Sequence, residues 1–267
     1  MKLEGRTVVV TGAGGGIGGA LARAAAAEGA NVAATDLTAE SLSALEQELG
    51  TGHLAAAADV TDEAALRSVI ERAESELGPV DVFFANAGVA IGTDPMETSD
   101  EVWDQALGVN VRSHILAARA LLPGWLERGE GYFVTTASAA GLLTQIGSAP
   151  YAVSKHAAVA FAEWLSITYG RRGVRVSCLC PQGVNTAMLN AGQPGSPGQV
   201  AADVVRAGGA VLEPEEVAAV VMEAITQERF LVLPHPEVLT YFQRKAGDYE
   251  RWLEGMRKLQ DRVSASA

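Results

Sequence analysis

Cysteine is scarce in this chain: its 267 residues include only Cys178 and Cys180. Two apart in the apolar run Val174–Cys180, they read as small buried hydrophobes on one face of a strand, and without further partners they make no zinc site. The four histidines, at positions 53, 114, 156 and 235, show no metal-ligand spacing, so no metal is expected. Basic charge is also short, with 20 Lys and Arg against 32 Asp and Glu, a net charge of −12. Such a chain repels phosphate backbones and anionic bilayers, so neither nucleic acid nor membrane is an expected partner. No run approaches the roughly 18 uninterrupted apolar residues of a membrane span. Met1–Arg6 leads straight into Val8-Val9-Val10 without a long apolar leader. Reduced, buried cysteines then suit a cytoplasmic location.

What is present is apolar and regularly punctuated. With 48% hydrophobic residues, a chain of this length is expected to bury one large core. Seven short runs, Thr7–Thr11, Asn31–Thr35, Leu54–Ala58, Val80–Ala85, Tyr132–Thr136, Val174–Leu179 and Phe230–Leu233, are too continuously apolar for half-exposed strands. Helical segments separate them. The pattern predicts right-handed βαβ units and an α/β fold, a doubly wound seven-stranded parallel sheet in a single domain. Ile17–Glu28 reads as an alanine-rich helix stopped by Gly29. Thr61-Asp62-Glu63 opens another, and Ser99-Asp100-Glu101 opens a segment running through Asn110 to Arg128. The Gly- and Pro-rich stretch Ala191–Gly209 is expected to be mobile. Tyr249, Trp252, Leu253, Met256, Leu259 and Val263 recur at helical spacing. They predict an amphipathic helix over Asp248–Val263 that packs on its own subunit, covers the substrate mouth or joins a neighbour.

Two groups of residues carry chemistry. The turn Thr11-Gly12-Ala13-Gly14-Gly15-Gly16-Ile17-Gly18 follows a buried strand and opens a helix, where backbone N–H groups can hold a pyrophosphate or merely pack tightly. Asp36 ends the next strand, at the spacing where a carboxylate binds the adenosine ribose and repels a 2′-phosphate; otherwise it caps the helix near Thr38. No basic residue follows it before Arg67. Tyr151 and Lys155 lie one helical turn apart, so both side chains point the same way and the ammonium favours the phenolate.

In order and spacing, Thr11-Gly12-x-x-x-Gly16-x-Gly18, Asp36, Asp59-Val60, Asn86-Ala87-Gly88, Asn110, Ser138, Tyr151, Lys155 and Pro181–Thr186 resemble the short-chain dehydrogenase/reductase family, from about Arg6 to Pro234. The resemblance implies a Rossmann-like fold and favours Gly12, Gly16 and Gly18, with Ile17, over the later glycine register Gly14, Gly16 and Gly19. It places Asp59 and Val60 beside the adenine. Asn86, with Ala87 and Gly88, steadies the central strand and the cofactor. Lys155 bonds the nicotinamide ribose, Ser138 orients the substrate oxygen, and Thr186, with Pro181, Gly183 and Val184, meets the nicotinamide. Asn110 would hold a water in a relay from Lys155 to solvent, or else mark a helix kink or a buried polar contact. Asp59 as a helix cap and Asn86 as a turn residue are the ordinary alternatives. His114, one turn after Asn110, reads as a satisfied packing residue. Where the family has Pro-Gly-x-Val-x-Thr, this chain has Gln182 in the first glycine's place, either near the reacting centre or pointing away.

The expectation is therefore an enzyme using NAD to interconvert a small secondary alcohol and a ketone, with Tyr151 as acid and base beside Asn110, Ser138 and Lys155. Substrate contacts fall to Ser138, Tyr151, Gln145, Gln182 and Met188, in a pocket built from Gly141–Gln145, Gln182, Met188-Leu189 and the segment after Pro234. An acyl-thioester ketoreductase and a non-catalytic nucleotide sensor are the rivals. Residues 1–240 would form the catalytic domain, with a substrate loop at about 185–212, and 241–267 a helical extension. Homodimers or homotetramers are implied through long helices such as Val102–Arg128 and Tyr151–Arg171.

Overall fold

The computed structural model describes residues 1–191 and 198–264. Its strands are β1 (Thr7–Thr11), β2 (Asn31–Asp36), β3 (Leu54–Ala57), β4 (Val80–Ala85), β5 (Gly131–Thr136), β6 (Val174–Leu179), β7 (Gly183–Val184), β8 (Val211–Leu212) and β9 (Leu231–Val232). Seven of them form one parallel sheet in the order β3-β2-β1-β4-β5-β6-β9. These are the seven apolar runs of the sequence, displaced by a residue or two at some ends. The paired strands β7 and β8 were not foreseen, because two-residue strands carry no periodicity.

Helices cover both faces. On one side α1 (Gly16–Ala27), α2 (Ala39–Leu49) and α10 (Pro214–Thr226) pack with Val8, Val10, Phe84 and Val134. On the other, α3 (Glu63–Leu77), α5 (Ser113–Arg128), the short α6 (Ala140–Leu143) and α7 (Ala149–Tyr169) pack with Val9, Phe83 and Phe133. Phe83 stacks on Phe133 at 5.7 Å between ring centroids, and Trp125 meets Phe133 edge-on at 6.4 Å. Truncating Phe133 to Ala would cost about 3–5 kcal/mol. Local signals set the helix starts: Thr38 accepts from Ser41 N and caps α2, and Asp62 accepts from Ala64 N and Ala65 N and caps α3. Gly29, at φ +83°, supplies the left-handed residue that stops α1.

The segment opened by Ser99 is helical to Arg128 but not uniformly so. Between α4 (Asp100–Leu107) and α5 runs a π-helical turn, Gly108–Arg112, with Asn110 inside it. Of the glycine-rich stretch Ala191–Gly209, residues 192–197 lie outside the described residues. The remainder forms α9 (Gln199–Ala207), preceded by α8 (Ala187–Asn190). The tail forms α11 (Glu237–Gly247) and α12 (Tyr249–Ser264), which pack on α6 and α9 of the same chain. The α12 stripe divides: Trp252, Met256, Leu259 and Val263 are half-buried, whereas Tyr249 and Leu253 face solvent. Among the described residues no helix is long and apolar enough to cross a membrane.

The chain winds outward from β1 in both directions, through β2 in one and β4 in the other. The carboxyl ends of β1 and β4 therefore open a crevice, where ligands of such sheets bind.

Candidate active site

A cleft of about 1130 Å³ occupies this crevice, with Gly12, Asp36, Asn86, Ser138, Tyr151 and Val205 among its lining residues. Its floor begins at the glycine turn. Gly12 sits at φ +67°, and a Cβ there would come 2.9 Å from Ala87 Cα, so only glycine fits. Gly18 lies against Gly12 O and the Asn86 amide with no room for a side chain, whereas at Gly19 a Cβ would meet chiefly the movable Arg23 guanidinium. Gly14 is held as tightly, since a Cβ there would come 2.7 Å from Ser41 Cβ and 2.9 Å from Asp36 Oδ2, so close packing constrains Gly12, Gly14 and Gly18 and does not by itself separate the two glycine registers. Helix α1 begins here with no acidic residue in its first turn and no side-chain cap, leaving its positive end toward the cleft.

Asp36 ends β2 beside this turn. Its Oδ2 accepts from Gly14 N at 2.8 Å and its Oδ1 from Leu37 N at 2.7 Å. It does not cap α2, a task Thr38 performs. Asp59 Oδ1 accepts from Thr61 N and Thr61 Oγ1, a local turn; the cap of α3 is Asp62 instead. Asn86 Nδ2 donates to Thr11 O and Gly12 O, and its Oδ1 accepts from Thr136 Oγ1. One amide thereby ties the ends of β1, β4 and β5 together. Val60, Ala87, Gly88 and Ile17 also line the cleft.

Across from them stands α7. Lys155 is 3% exposed, its Nζ donates to Thr136 O at 2.9 Å, and it lies 5.7 Å from the centre of the Tyr151 ring. Ser138, just past β5, donates to Pro181 O at 3.4 Å and accepts from Ala140 N at 3.1 Å, with its hydroxyl near that of Tyr151. Burial raises the Tyr151 phenol above its ordinary value, with the neighbouring Ser138 hydroxyl pulling it down; burial lowers Lys155 to about 8. Desolvation sets the direction of the phenol's shift, and Lys155 is not among its causes. Asn110, fully buried, accepts from Val89 N at 2.8 Å and donates to Val89 O and Ser154 Oγ, each at 2.9 Å. It is a buried polar contact inside a helical irregularity. Missing side-chain bulk at Gly88 leaves a gap between Asn110 Oδ1 and Lys155 Nζ.

The expected substrate pocket needs correction. Gln145, Gln182, Met188 and Leu189 line the cleft, but Gly141, Leu142 and Leu143 are buried in α6, and Gly141 lies against the Lys155 carbonyl. In their place α9 contributes Ala201, Ala202 and Val205. Gln145 Nε2 donates to Ile146 O at 3.0 Å, and Thr186 caps α8 through Leu189 N. Sequence reasoning also missed His235, 1% exposed. Its Nδ1 accepts from Gln182 N at 3.1 Å and its Nε2 bonds Gly183 O at 3.0 Å, which pins the loop from Pro181 to Thr186. A lone histidine after Pro234 carries no sequence signal for this. His114, expected to be satisfied by its surroundings, has neither ring nitrogen hydrogen-bonded to protein.

Comparison with known proteins agrees with this architecture. The family model for the short chain dehydrogenase matches residues 6–195. The chain is 36% identical to 1-deoxy-11-beta-hydroxypentalenate dehydrogenase of Streptomyces exfoliatus, covering 89% of this chain and 86% of that protein. It is 35% identical to meso-2,3-butanediol dehydrogenase of Serratia marcescens, covering 82% and 87%. A D-threitol dehydrogenase of Mycolicibacterium smegmatis is 34% identical, covering 82% and 85%. Among solved structures, a short chain dehydrogenase/reductase of Burkholderia phymatum in complex with NAD superposes with a TM-score of 0.86 at 30% identity, over 94% of this chain and 96% of that one. A glycine turn, a strand-edge serine and a Tyr-Lys helix in one cleft have the same meaning as these matches: the chain belongs to the short-chain dehydrogenase/reductase family of oxidoreductases.

Proposed function

We propose that this chain is an NAD-dependent dehydrogenase interconverting a secondary alcohol and a ketone, with Tyr151 as general acid and base. The observation that carries the proposal is that Tyr151 lines one cleft with Ser138 and the glycine turn, its ring 5.7 Å from the ammonium of the buried Lys155 one helical turn away. A phenol so held can take the proton of an alcohol and return it to a ketone. Ser138 orients the substrate oxygen, Lys155 supports the tyrosinate, and Asn110 fixes the helix that carries Ser154 and Lys155 against the β4 edge.

The cleft fits NAD. The start of α1, at Gly16, Ile17 and Gly18, suits a pyrophosphate. Asp36 retains lone pairs for the adenosine ribose, Asp59 and Val60 border the adenine, and Asn86, Ala87 and Gly88 form the wall below. Pro181, Gly183, Val184 and Thr186 border the nicotinamide, whose ribose Lys155 bonds. Bound there, NAD would supply the two-electron acceptor for the alcohol's hydride, and Tyr151 would receive the hydroxyl proton. That the Burkholderia relative was solved with NAD supports the choice of cofactor, and the butanediol and threitol dehydrogenases support an alcohol substrate. Gln145, Gln182 and Met188 provide the substrate contacts beyond Ser138 and Tyr151.

Asp36 and the net charge of −12 disfavour an acyl-thioester ketoreductase, which wants a 2′-phosphate and a basic docking surface. The intact acid/base set disfavours a sensor. The exposed apolar face of α7, with Val153, Trp164 and Ile167, supports a homodimer or homotetramer. Two free, buried cysteines accord with a cytoplasmic enzyme. Assaying NAD and NADP separately against alcohols, ketones and acyl thioesters, by reduced-nicotinamide absorbance, tests the proposal. Activity confined to NADPH and acyl thioesters would replace it with the ketoreductase, and no turnover at all with the sensor.

A further inference from the structure

Lys245 is a buried cation that the chemistry above does not use. It lies 7% exposed on α11, and among the described residues it forms no ion pair. A carbonyl and a ring receive it instead: its Nζ donates to Leu142 O at 2.7 Å and stands 5.5 Å from the centre of the Tyr249 ring, at the start of α12. A lysine is seldom buried without a carboxylate, because its ammonium gives up hydration for few bonds. The bond made here in return is to the end of a helix.

That helix is α6, a single turn of 4 residues. Leu142 is 6% exposed, and its carbonyl is among the last of the helix, which have no partner within it. The same turn touches the acid/base unit. Its Ala140 N donates to Ser138 Oγ at 3.1 Å, and Gly141 packs so closely on α7 that a Cβ would come 2.5 Å from Lys155 O. Because α7 runs 21 residues and α6 only 4, α6 is the element free to shift. Beyond it Thr144 stands at φ +77° and ψ 160°, a conformation kept almost wholly for glycine and strained for a β-branched residue. Such strain persists only where neighbours hold it. The next residue, Gln145, lines the cleft.

We propose that Lys245 is a positioning residue for the substrate side of the cleft: holding Leu142 O, it seats α6 against α7 and keeps the Thr144 turn wound, which fixes Ser138 and Gln145. The role rests on the dehydrogenase reading of that cleft. No residue assigned to NAD lies on α6, so loosening it should be felt by the alcohol and not by the cofactor. Tyr249 covers the ammonium from α12, which brings the tail into the same clamp.

K245M keeps the stem and removes the donor. The protein alone is read first, by amide hydrogen exchange with mass spectrometry, so that the clamp and the dehydrogenase reading fail separately. Exchange in the segment 140–145 should quicken by about tenfold in K245M, with the sheet unchanged. With NAD and meso-2,3-butanediol as the probe, KM for the alcohol should rise by about tenfold while NAD affinity, by fluorescence, stays within about twofold. K245R, which keeps a cationic donor, should return both. So should K245M/T144G, because glycine takes φ +77° without a clamp. A K245M protein with wild-type exchange in 140–145 and wild-type KM, altered only in Tm, overturns the proposal, as does an equal loss of affinity for NAD and alcohol. Should K245M not fold, K245Q, whose amide stops one bond short of Leu142 O, is read in the same way. A wild type that turns over no alcohol, with the exchange result intact, strikes the dehydrogenase reading and leaves the clamp standing on the exchange.

Discussion

Asp36 Oδ2 holds the Gly14 backbone N–H at 2.8 Å, so the acid ending β2 and the glycine turn ending β1 are one hydrogen-bonded unit. The carboxylate is thereby fixed in the cleft wall and cannot swing away from a 2′-phosphate. Catalytic efficiency with NAD is expected to exceed that with NADP by at least tenfold, about 1.4 kcal/mol. D36A should narrow the ratio and, by freeing the turn, weaken NAD itself. Equal efficiencies in the wild type would remove Asp36 from cofactor choice.

His235 acts on the opposite end of the cleft. Replacing it with Ala strands Gln182 N and Gly183 O, at about 1–3 kcal/mol, and loosens the loop that carries Thr186. H235A should raise the KM for NAD more than it lowers the affinity for a substrate that never meets that loop. Q182G tests the loop's side chain: a hydroxyketone should suffer more than a simple alcohol if the amide touches substrate. A uniform loss would make Gln182 a filler.

The tail is held within its own chain. Trp252 packs against the main core, Tyr241 donates to Gly208 O at 3.4 Å, and α12 lies on α9, which also lines the cleft. Deleting everything after Gly247 should raise the substrate KM and lower Tm while light-scattering mass stays the same. A halved mass would make α12 an interface element.

Most of the architecture was legible because it rests on burial. Val8-Val9-Val10 and Val82-Phe83-Phe84-Ala85 are fully apolar runs covered on both faces, and such runs announce strands whatever their neighbours do. The site residues were legible where one short segment carries the geometry, as with Tyr151 and Lys155. Reach through space was not. His235 meets Gln182 across 53 positions, and no local pattern encodes that pairing. Helix α9 was obscured by the glycines and prolines around it, although Ala201, Ala202 and Val205 already trace a helical apolar face. Spacing likewise gave the direction of the lysine but not that Lys155 is buried, with Tyr151 half-buried beside it.

Burial also sets a pH dependence. Lys155, lowered to about 8, is charged below that value and neutral above it. Alcohol oxidation requires the Tyr151–Lys155 pair to have shed a proton, so its rate should rise with pH through the region of 8, while ketone reduction should fall across the same region. Flat profiles in both directions would mean that the pair does not carry the proton.

The central claim is that Tyr151 moves that proton, and Y151F addresses it most directly. Phenylalanine keeps the ring beside Lys155 and removes only the hydroxyl. NAD binding, followed by fluorescence titration, should remain within a few-fold of the wild type, while turnover of the best alcohol falls by about 10²–10⁴-fold. A Y151F enzyme that binds NAD and turns over at the wild-type rate would contradict the account.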